Sequence, residues 1–418
     1  MVTPVTTTVW ARRPKGVAMY DVIVTGARVA GASTAMLLAR RGFRVLLVDR
    51  ASFPSDTLSS HFLQTSGTAL LAQWGLLDQL RDTQCPAVRR NRLDFGPFCV
   101  EGCPPAATGG ITEFFAPRRS ILDTLLVDAA IAAGVEFRPQ CVVEDIRCTG
   151  DTVTGVRLRH AGRSVQEEAR ITIGADGKHS VIARLAGAPE YFRRPALTCA
   201  YYAYWTDLPS DALDIWVRPR YTLGMAPTHD QQTMAVIMAP IAEFPRIRMD
   251  VDAAFMEAAA AIPGLRDRFA AARRTTSFLG TADLPNFYRR PYGPGWALVG
   301  DAGYHKDPCT AQGMSDALRD AQLLAVALEE GLTGEGSLAR GLQHYESARN
   351  DASRAMYELT CQMASHEPPP PEMASVLAAL PGNQTQADRF LGIFAGTVRC
   401  EEFFSPQNVA EVLATRSA

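Results

Sequence analysis

Short apolar runs and helical periodicities alternate along the chain. Val22-Ile23-Val24 and Val45-Leu46-Leu47-Val48 are unbroken apolar runs, the pattern of strands buried on both faces. The small and apolar stretch between them predicts a helix from Ala32 to Arg41. The pattern continues with a helix over Gly67 to Leu80, strand and loop between Pro86 and Gly110, and a helix over Ile121 to Ala133 that Gly134 ends. Gly150-Asp151 and Ala161-Gly162 divide 135–175 into three short strands, a meander. Residues 197–240 alternate and are rich in Tyr, Trp and Thr, which reads as strands of a second sheet. Helices at 251–273, 313–330 and 337–365 follow, then a breaker, Pro368 to Pro371, and a helical remainder to 418.

Candidate chemistry sits where strands end. The turn Gly26-Ala27-Arg28-Val29-Ala30-Gly31 joins the first strand to its helix, and Asp49 closes the second strand close to 20 positions on. In such a unit Gly26 allows a tight turn and Gly31 lets helix and strand pack closely. The helix N-terminus receives a pyrophosphate, and Asp49 accepts from ribose hydroxyls. Arg28 stands where the pattern has its second glycine, and its guanidinium would pair with the phosphates. A further strand runs from Ile171 into Gly174-Ala175-Asp176-Gly177, with a helix starting near Ser180. The strand Trp296–Val299 stops at Gly300-Asp301, and after a loop Gly313 opens a helix. A carboxylate at that strand end suits the hydroxyls of a sugar or polyol. The free N–H groups at the helix start suit an electron-rich carbonyl.

These three elements, GARVAG, ADGKHSVIAR and GDAGYHKDPCTAQGM, resemble in kind and order those of the FAD-dependent aromatic hydroxylases, flavoprotein monooxygenases of the p-hydroxybenzoate hydroxylase fold. The likeness covers roughly residues 19–345, with Ala311 in place of the first glycine of the last motif. The wording of GARVAG and of Ser55 to His61 is similar to a bacterial subgroup. The resemblance implies an α/β fold with a Rossmann-like, discontinuous FAD-binding domain at 19–85, 115–190 and 275–345. A substrate-binding sheet domain at 86–114 and 191–274 would cover the flavin, with a C-terminal helical region at 346–418 and a flexible extension at 1–18.

The resemblance also assigns roles. Gly26, Ala27, Arg28, Ala30 and Gly31 would sit at the pyrophosphate, Asp49 and Arg50 at the adenosine ribose, and Val143 beside the adenine through its backbone. Arg119, ahead of Leu122-Asp123, would reach the pyrophosphate or ribityl region, and Asp176 belongs to a motif tied to both FAD and the nicotinamide. Gly300 and Asp301 would hold the ribityl chain. Pro308 would approach the ring, and the N–H groups of Gly313 and Met314 would meet its pyrimidine carbonyl, with Ser315 where the family often has Asn. His61 and then His305 are the candidate acid–base groups. The implied reaction is reduction of FAD by NAD(P)H, addition of dioxygen to give a peroxyflavin, and oxygen transfer to an aromatic or polycyclic substrate. A reductase of the geranylgeranyl-reductase type, a flavin-dependent halogenase and a non-catalytic flavin-binding protein remain alternatives. Neither a Trp-x-Trp-x-Ile-Pro signature nor a lysine near it favours the halogenase.

Composition narrows the classes. A net charge of −2 offers no electrostatic case for nucleic acid. No apolar run reaches the ~18 residues of a membrane span. The first 18 residues lack the apolar stretch of a secretory signal. Nine scattered cysteines, with no C-x-x-C and no zinc-like spacing, suit a reducing cytoplasm and no metal; Cys309 lies in the loop expected to face the flavin. Only three lysines occur, Lys15, Lys178 and Lys306, and the last two fall inside the motifs.

Overall fold

The computed structural model describes residues 19–59, 61–334 and 337–414. The 1–18 extension and Ser60 of the stretch before His61 lie outside the described residues.

The apolar runs form a parallel sheet. Its strands lie in the order Glu136–Arg138, Val45–Val48, Tyr20–Thr25, Arg163–Gly174 and Trp296–Leu298, with Tyr292–Gly293 antiparallel at the far edge. Ile23 is in register with Leu46 on one side and Thr172 on the other. Both faces are covered, which is why these strands read as continuous apolar runs. The helices Val29–Arg40, Arg119–Ala132 and Gly313–Leu332 pack Ala35, Leu122, Leu126 and Leu324 on one face. The other face packs Ile23, Leu46 and Leu298 under Val156, Leu158 and Ile182. The covering layer there is the meander Cys141–Thr149, Thr152–His160 and Arg163–Gly174, which turns at the two predicted positions.

The second sheet runs Arg273–Arg274, Thr198–Thr206, Gln232–Pro240, Thr222–Thr228, Leu213–Val217, Asn91–Asp94, Cys99–Gly102, with Leu279–Thr281 also on the second of these strands. The alternation has a physical basis, since successive residues face opposite sides. Ala203 and Trp205 join Phe255 and Phe269 of the helices Val251–Ala260 and Leu265–Ala271. Tyr202 and Tyr204 face the other way, into a cluster with Phe62, Phe114, Met234 and Ala311. That cluster joins the sheet to the Pro308–Thr310 turn.

Two expected helices are broken. The 67–80 segment is two helices, Thr65–Gln73 and Leu77–Asp82, because Gly75 takes a left-handed φ of 74° between them. The 251–273 segment breaks at Pro263-Gly264, where Gly264 also has φ 74°. Glu190–Arg194, Asn286–Arg289 and Tyr304–His305 form a small third sheet. The long helix Leu338–Ala364 lies along Gly313–Leu332, and the helices from Pro371 to Ala414 pack Phe390, Leu391 and Phe403 against Leu93 and Val100 of the second sheet.

Candidate cofactor site

Three glycines bring the three motifs together. Gly26 has φ 97°, and a Cβ there would lie 2.4 Å from the Ala175 carbonyl oxygen. A Cβ on Gly31 would lie 1.8 Å from the Gly26 carbonyl oxygen, and one on Gly300 would lie 2.7 Å from the Ala30 Cβ. The first turn, the Ala175-Asp176 segment and the Gly300-Asp301 turn therefore touch through bare backbone.

Both helices that start here are uncapped. The Val29–Arg40 helix has Arg28 as N-cap with no side-chain cap, and the Gly313–Leu332 helix has Gln312, likewise without one. First-turn N–H groups and the positive end of each dipole are left for an external acceptor. Gly313 and Asp301 are exposed. The two line a small hollow with Gly300, Tyr304, Lys306, Asp316 and Ala317. Met314 is buried behind Gly313. Ser315 instead accepts from the Gln64 N–H at 3.0 Å.

The two candidate phosphate arginines meet on one carboxylate. Arg28 donates to Asp123 Oδ2 at 2.7 Å, and Arg119 donates from Nε to Asp123 Oδ1 at 3.0 Å. Asp123 is fully buried, whereas the Arg28 and Arg119 side chains are 23% and 11% exposed. Arg28 also donates to the Ser55 carbonyl at 2.8 Å and to Ser55 Oγ at 3.0 Å, and its guanidinium lies 5.1 Å from the Phe53 ring centre. Two cations on one anion leave one unit of positive charge beside an uncapped helix start. This is a donor set suited to a pyrophosphate.

The remaining candidates divide. Asp49 is buried, accepting the Ala27 N–H at 2.6 Å on one oxygen and the Ala51 N–H at 2.8 Å on the other. Ala27 thus gives its N–H to the chain, while a carboxylate with about four acceptor directions keeps capacity for a ribose. The Cys141 N–H bonds the Asp49 carbonyl at 2.8 Å, which brings the start of the Val143 strand to Asp49; Arg50 is exposed. Asp176 caps the short helix Val181–Leu185, accepting from the Val181 N–H at 2.7 Å and from Ser180 Oγ, and burial raises its pKa. Pro308 is half-buried in its turn. Cys309 donates its thiol to the Thr360 carbonyl, and burial pushes its pKa well up.

The two histidines differ. His305 is pinned by a hydrogen bond between Nδ1 and the Pro285 carbonyl and stacks near Phe287. His61 is fully buried in the apolar cluster, with a left-handed φ of 62°. Its Nε2 pairs with the Tyr204 hydroxyl, its ring stacks at 5.7 Å on Tyr204, and Tyr202 meets it edge-on at 5.3 Å. Burial, then the charges of Arg119 and Arg118, lowers its pKa to about 3. Among the described residues Nδ1 has no hydrogen-bond partner. If Tyr204 donates to Nε2, the single unmet group is an Nδ1–H donor; the other tautomer leaves two groups unmet. Burial pushes Tyr202 up to about 12 and Tyr204 higher still.

Sequence reasoning missed Asp123 as the common anion of Arg28 and Arg119, although Leu122-Asp123 had marked the helix start. It also missed Tyr204, whose place in the alternation beside Tyr202 was the available signal. A larger cavity of about 650 Å³ is lined by Cys361, Met373, Cys400 and Phe404 and by none of the cofactor candidates. Among the described residues no group of three or more His, Cys, Asp or Glu is arranged to hold a metal, and no helix is long and apolar enough to cross a membrane.

Comparison with known proteins gives the family. The family model described as FAD binding domain matches residues 19–360. The chain is 27% identical to 6-methylpretetramide 4-monooxygenase of Streptomyces rimosus over 77% of this chain and 78% of that protein. It is 22% identical to a 1H-pyrrole-2-carbonyl-[peptidyl-carrier protein] brominase of Pseudoalteromonas luteoviolacea, over 75% and 78% respectively. Against the digeranylgeranylglycerophospholipid reductase of Methanosarcina mazei the figures are 23% identity over 79% and 81%. A flavoprotein/dehydrogenase structure from Cytophaga hutchinsonii superposes with a TM-score of 0.80 at 18% identity, covering 96% of this chain and all of that one. The myxobacterial chondrochloren halogenase gives 0.77 at 21% identity, covering 94% and 96%.

Proposed function

The chain belongs to the FAD binding domain family and is an FAD-dependent oxidoreductase, and from that premise we propose that it is a monooxygenase acting on an aromatic or polycyclic small molecule with NAD(P)H and dioxygen. The observation that carries the reading is the apolar cluster joining the second sheet to Cys309 and Ala311 of the cofactor loop, with His61 and Tyr204 as a polar pair inside it. When bound, FAD supplies reduction by a nicotinamide and activation of dioxygen.

The chain's own residues do the rest. Asp301 would accept from the ribityl hydroxyls, and the N–H groups at Gly313 and Met314 would take the pyrimidine carbonyl. Arg28, Arg119 and the Val29 helix start would hold the pyrophosphate. Tyr202, Phe62, Phe114 and Met234 wall off water, which protects a reactive oxygen species and strengthens each polar contact inside. Neutral His61 presents one N–H from Nδ1 to a carbonyl or phenolic oxygen of the substrate, and Tyr204 donates to its Nε2 and fixes that tautomer. A flat ring suits walls of this kind, and a single directed donor fixes its orientation.

The test is turnover of the FAD-loaded protein with NADPH or NADH under ¹⁸O₂, using a panel of naphthoquinone and anthraquinone phenols. Expected are substrate-stimulated NAD(P)H oxidation and one ¹⁸O in the product. Hydrogenated products without oxygen uptake establish the reductase instead. Brominated or chlorinated products formed only with halide present establish the halogenase.

A further inference from the structure

The small third sheet carries a tyrosine at matching positions on all three of its strands. Tyr304 lies directly opposite Tyr288, and Tyr288 directly opposite Tyr191. Residues opposed in this way share one face of a sheet and touch. The rings accordingly stack. Tyr304 and Tyr288 are 5.0 Å apart with 18° between their planes, and Tyr288 and Tyr191 are 5.7 Å apart with 25°. Tyr304 and Tyr288 are buried, while Tyr191 is half-buried beside the exposed Phe192. At the inner end Tyr304 is a wall of the hollow that Asp301 and Gly313 open to solvent. The row therefore runs from the cofactor site to the surface, away from the roof where the substrate would lie.

The three hydroxyls have different partners. Tyr304 donates to the Asp316 carboxylate, which Lys306 and Arg319, against its burial, hold at a pKa of about 2. Tyr191 donates to Glu346 at 3.3 Å, and Glu346 is half-buried. Tyr288 meets Ser353 Oγ at 2.8 Å, and Ser353 uses its own hydrogen on the Arg349 carbonyl at 2.6 Å. Both ends of the row thus have a carboxylate that can take a phenolic proton, and the middle has none. Stacking alone would be served by phenylalanine, without the cost of taking hydroxyls out of water. Rings in such contact also exchange single electrons, because electron tunnelling falls steeply with the gap between them.

We propose that the Tyr304–Tyr288–Tyr191 row is a path for single electrons, through which a one-electron oxidant formed at the cofactor site is quenched from the surface. The inference rests on the FAD reading above. The oxidant is an oxyl radical released from a peroxide, or the photoexcited flavin. It takes one electron from Tyr304, whose phenolic proton passes to Asp316. One electron then moves from Tyr288 to Tyr304, and the proton returns from Asp316 to the Tyr304 oxygen. One electron moves from Tyr191 to Tyr288, and the Tyr191 proton passes to Glu346. The phenoxyl rests on Tyr191 because Tyr288 has no base beside it. A thiol in solution then gives one electron to Tyr191, Glu346 returns the proton, and the chain is as it began. In sum the oxidant gains one electron, and the thiol becomes a thiyl radical and releases one proton.

Flash excitation of the FAD-loaded protein in oxygen-free buffer tests it, with phenoxyl absorbance and electron paramagnetic resonance as the readout. The parent should form a long-lived phenoxyl, and added glutathione should quench it in proportion to its concentration. Tyr288→Phe and Tyr191→Phe should each lose the long-lived signal, because the electron vacancy then stays close to the flavin and recombines. Tyr357→Phe should keep it. Tyr357 meets Tyr288 edge-on at 5.0 Å, but its hydroxyl donates to the Phe192 carbonyl at 2.6 Å, which takes no proton. If Tyr288→Phe does not fold, Tyr191→Phe and the glutathione titration decide. No phenoxyl in the parent, a signal indifferent to glutathione, or one equal in the parent and both row variants overturns the proposal and leaves the FAD reading intact. A parent protein that takes up no FAD overturns that reading, and this one with it.

Discussion

Replacing His61 with glutamine should remove roughly 2 kcal/mol of the acid sensitivity that buried imidazoles impose on this fold. Unfolded, His61 takes a proton below its ordinary 6.5; folded, it stays neutral down to about 3. The folded pKa is the lower one, so the stability held above pH 6.5 is lost as pH falls toward 3. At pH 5 the gap used is about 1.5 units, worth roughly 2 kcal/mol at 1.36 kcal/mol per unit. His229 behaves alike: burial lowers it to about 4, its Nδ1 accepts the Arg118 N–H at 3.2 Å, and it contributes a similar ~2 kcal/mol. Asp307 and Asp320 titrate in the opposite sense, since burial raises both, but they are common to the two proteins and cancel in the comparison. Glutamine can still accept from Tyr204 and does not titrate. Its cost at the left-handed φ is independent of pH. Urea titrations at pH 7.5 and 5, at equal FAD saturation, should show the variant losing roughly 2 kcal/mol less than the parent on acidification. Parallel losses would show that His61 is protonated in the folded state, and the neutral donor assigned to it would have to be abandoned.

Asp301→Ala should weaken FAD binding about tenfold to a hundredfold at unchanged circular dichroism, since a polyol bond to a charged acceptor is worth roughly 1.5–3 kcal/mol; an unchanged dissociation constant removes Asp301 from the site. Arg28→Gly should bind FAD more weakly than the parent, by a larger factor at low salt than at high salt; equal affinities at both salts confine Arg28 to its contacts with Asp123 and Ser55. Asp123→Asn leaves two arginines without their common carboxylate. The loss should be about 3 kcal/mol in urea titration, the low end for a broken buried pair because both arginines reach solvent. Flavin released by denaturation should be FAD, because the partners expected for the Val29 helix start and Asp49 are a pyrophosphate and an adenosine ribose, which FMN lacks; FMN alone would refute the assignment.

The elements legible in the sequence were those whose signal is local. The strands at 20–25 and 45–48, the Gly26 turn and the Gly300-Asp301 strand end each declare themselves within a dozen residues, because burial on both faces and a left-handed turn leave marks on adjacent positions. The second sheet was legible for the same reason, in the alternation of 198–206. The breaks at Gly75 and Gly264 were present as glycines, but a glycine at the end of one helix and one inside a longer helix read alike without the packing that selects between them. Partnership was not legible. Arg28 and Asp123 stand 95 residues apart, and Lys306 reaches Asp316 only because a strand, a turn and a helix start fold back on one another.

That distinction bears on Arg28. Read alone, an arginine at the position of a glycine is a defect needing compensation. Beside Asp123 and Arg119 it is one arm of a charge pair whose geometry is fixed before any phosphate arrives. Fixing it lowers the ordering cost that a free arginine would meet on binding. Positive charge is therefore placed at the first turn by side chains that need not move. The roof carries its polar chemistry on a neutral imidazole and a protonated tyrosine. A site so divided would bind an anionic cofactor at the arginine pair, with no ionised group in the His61–Tyr204 pair against which a flat substrate would lie.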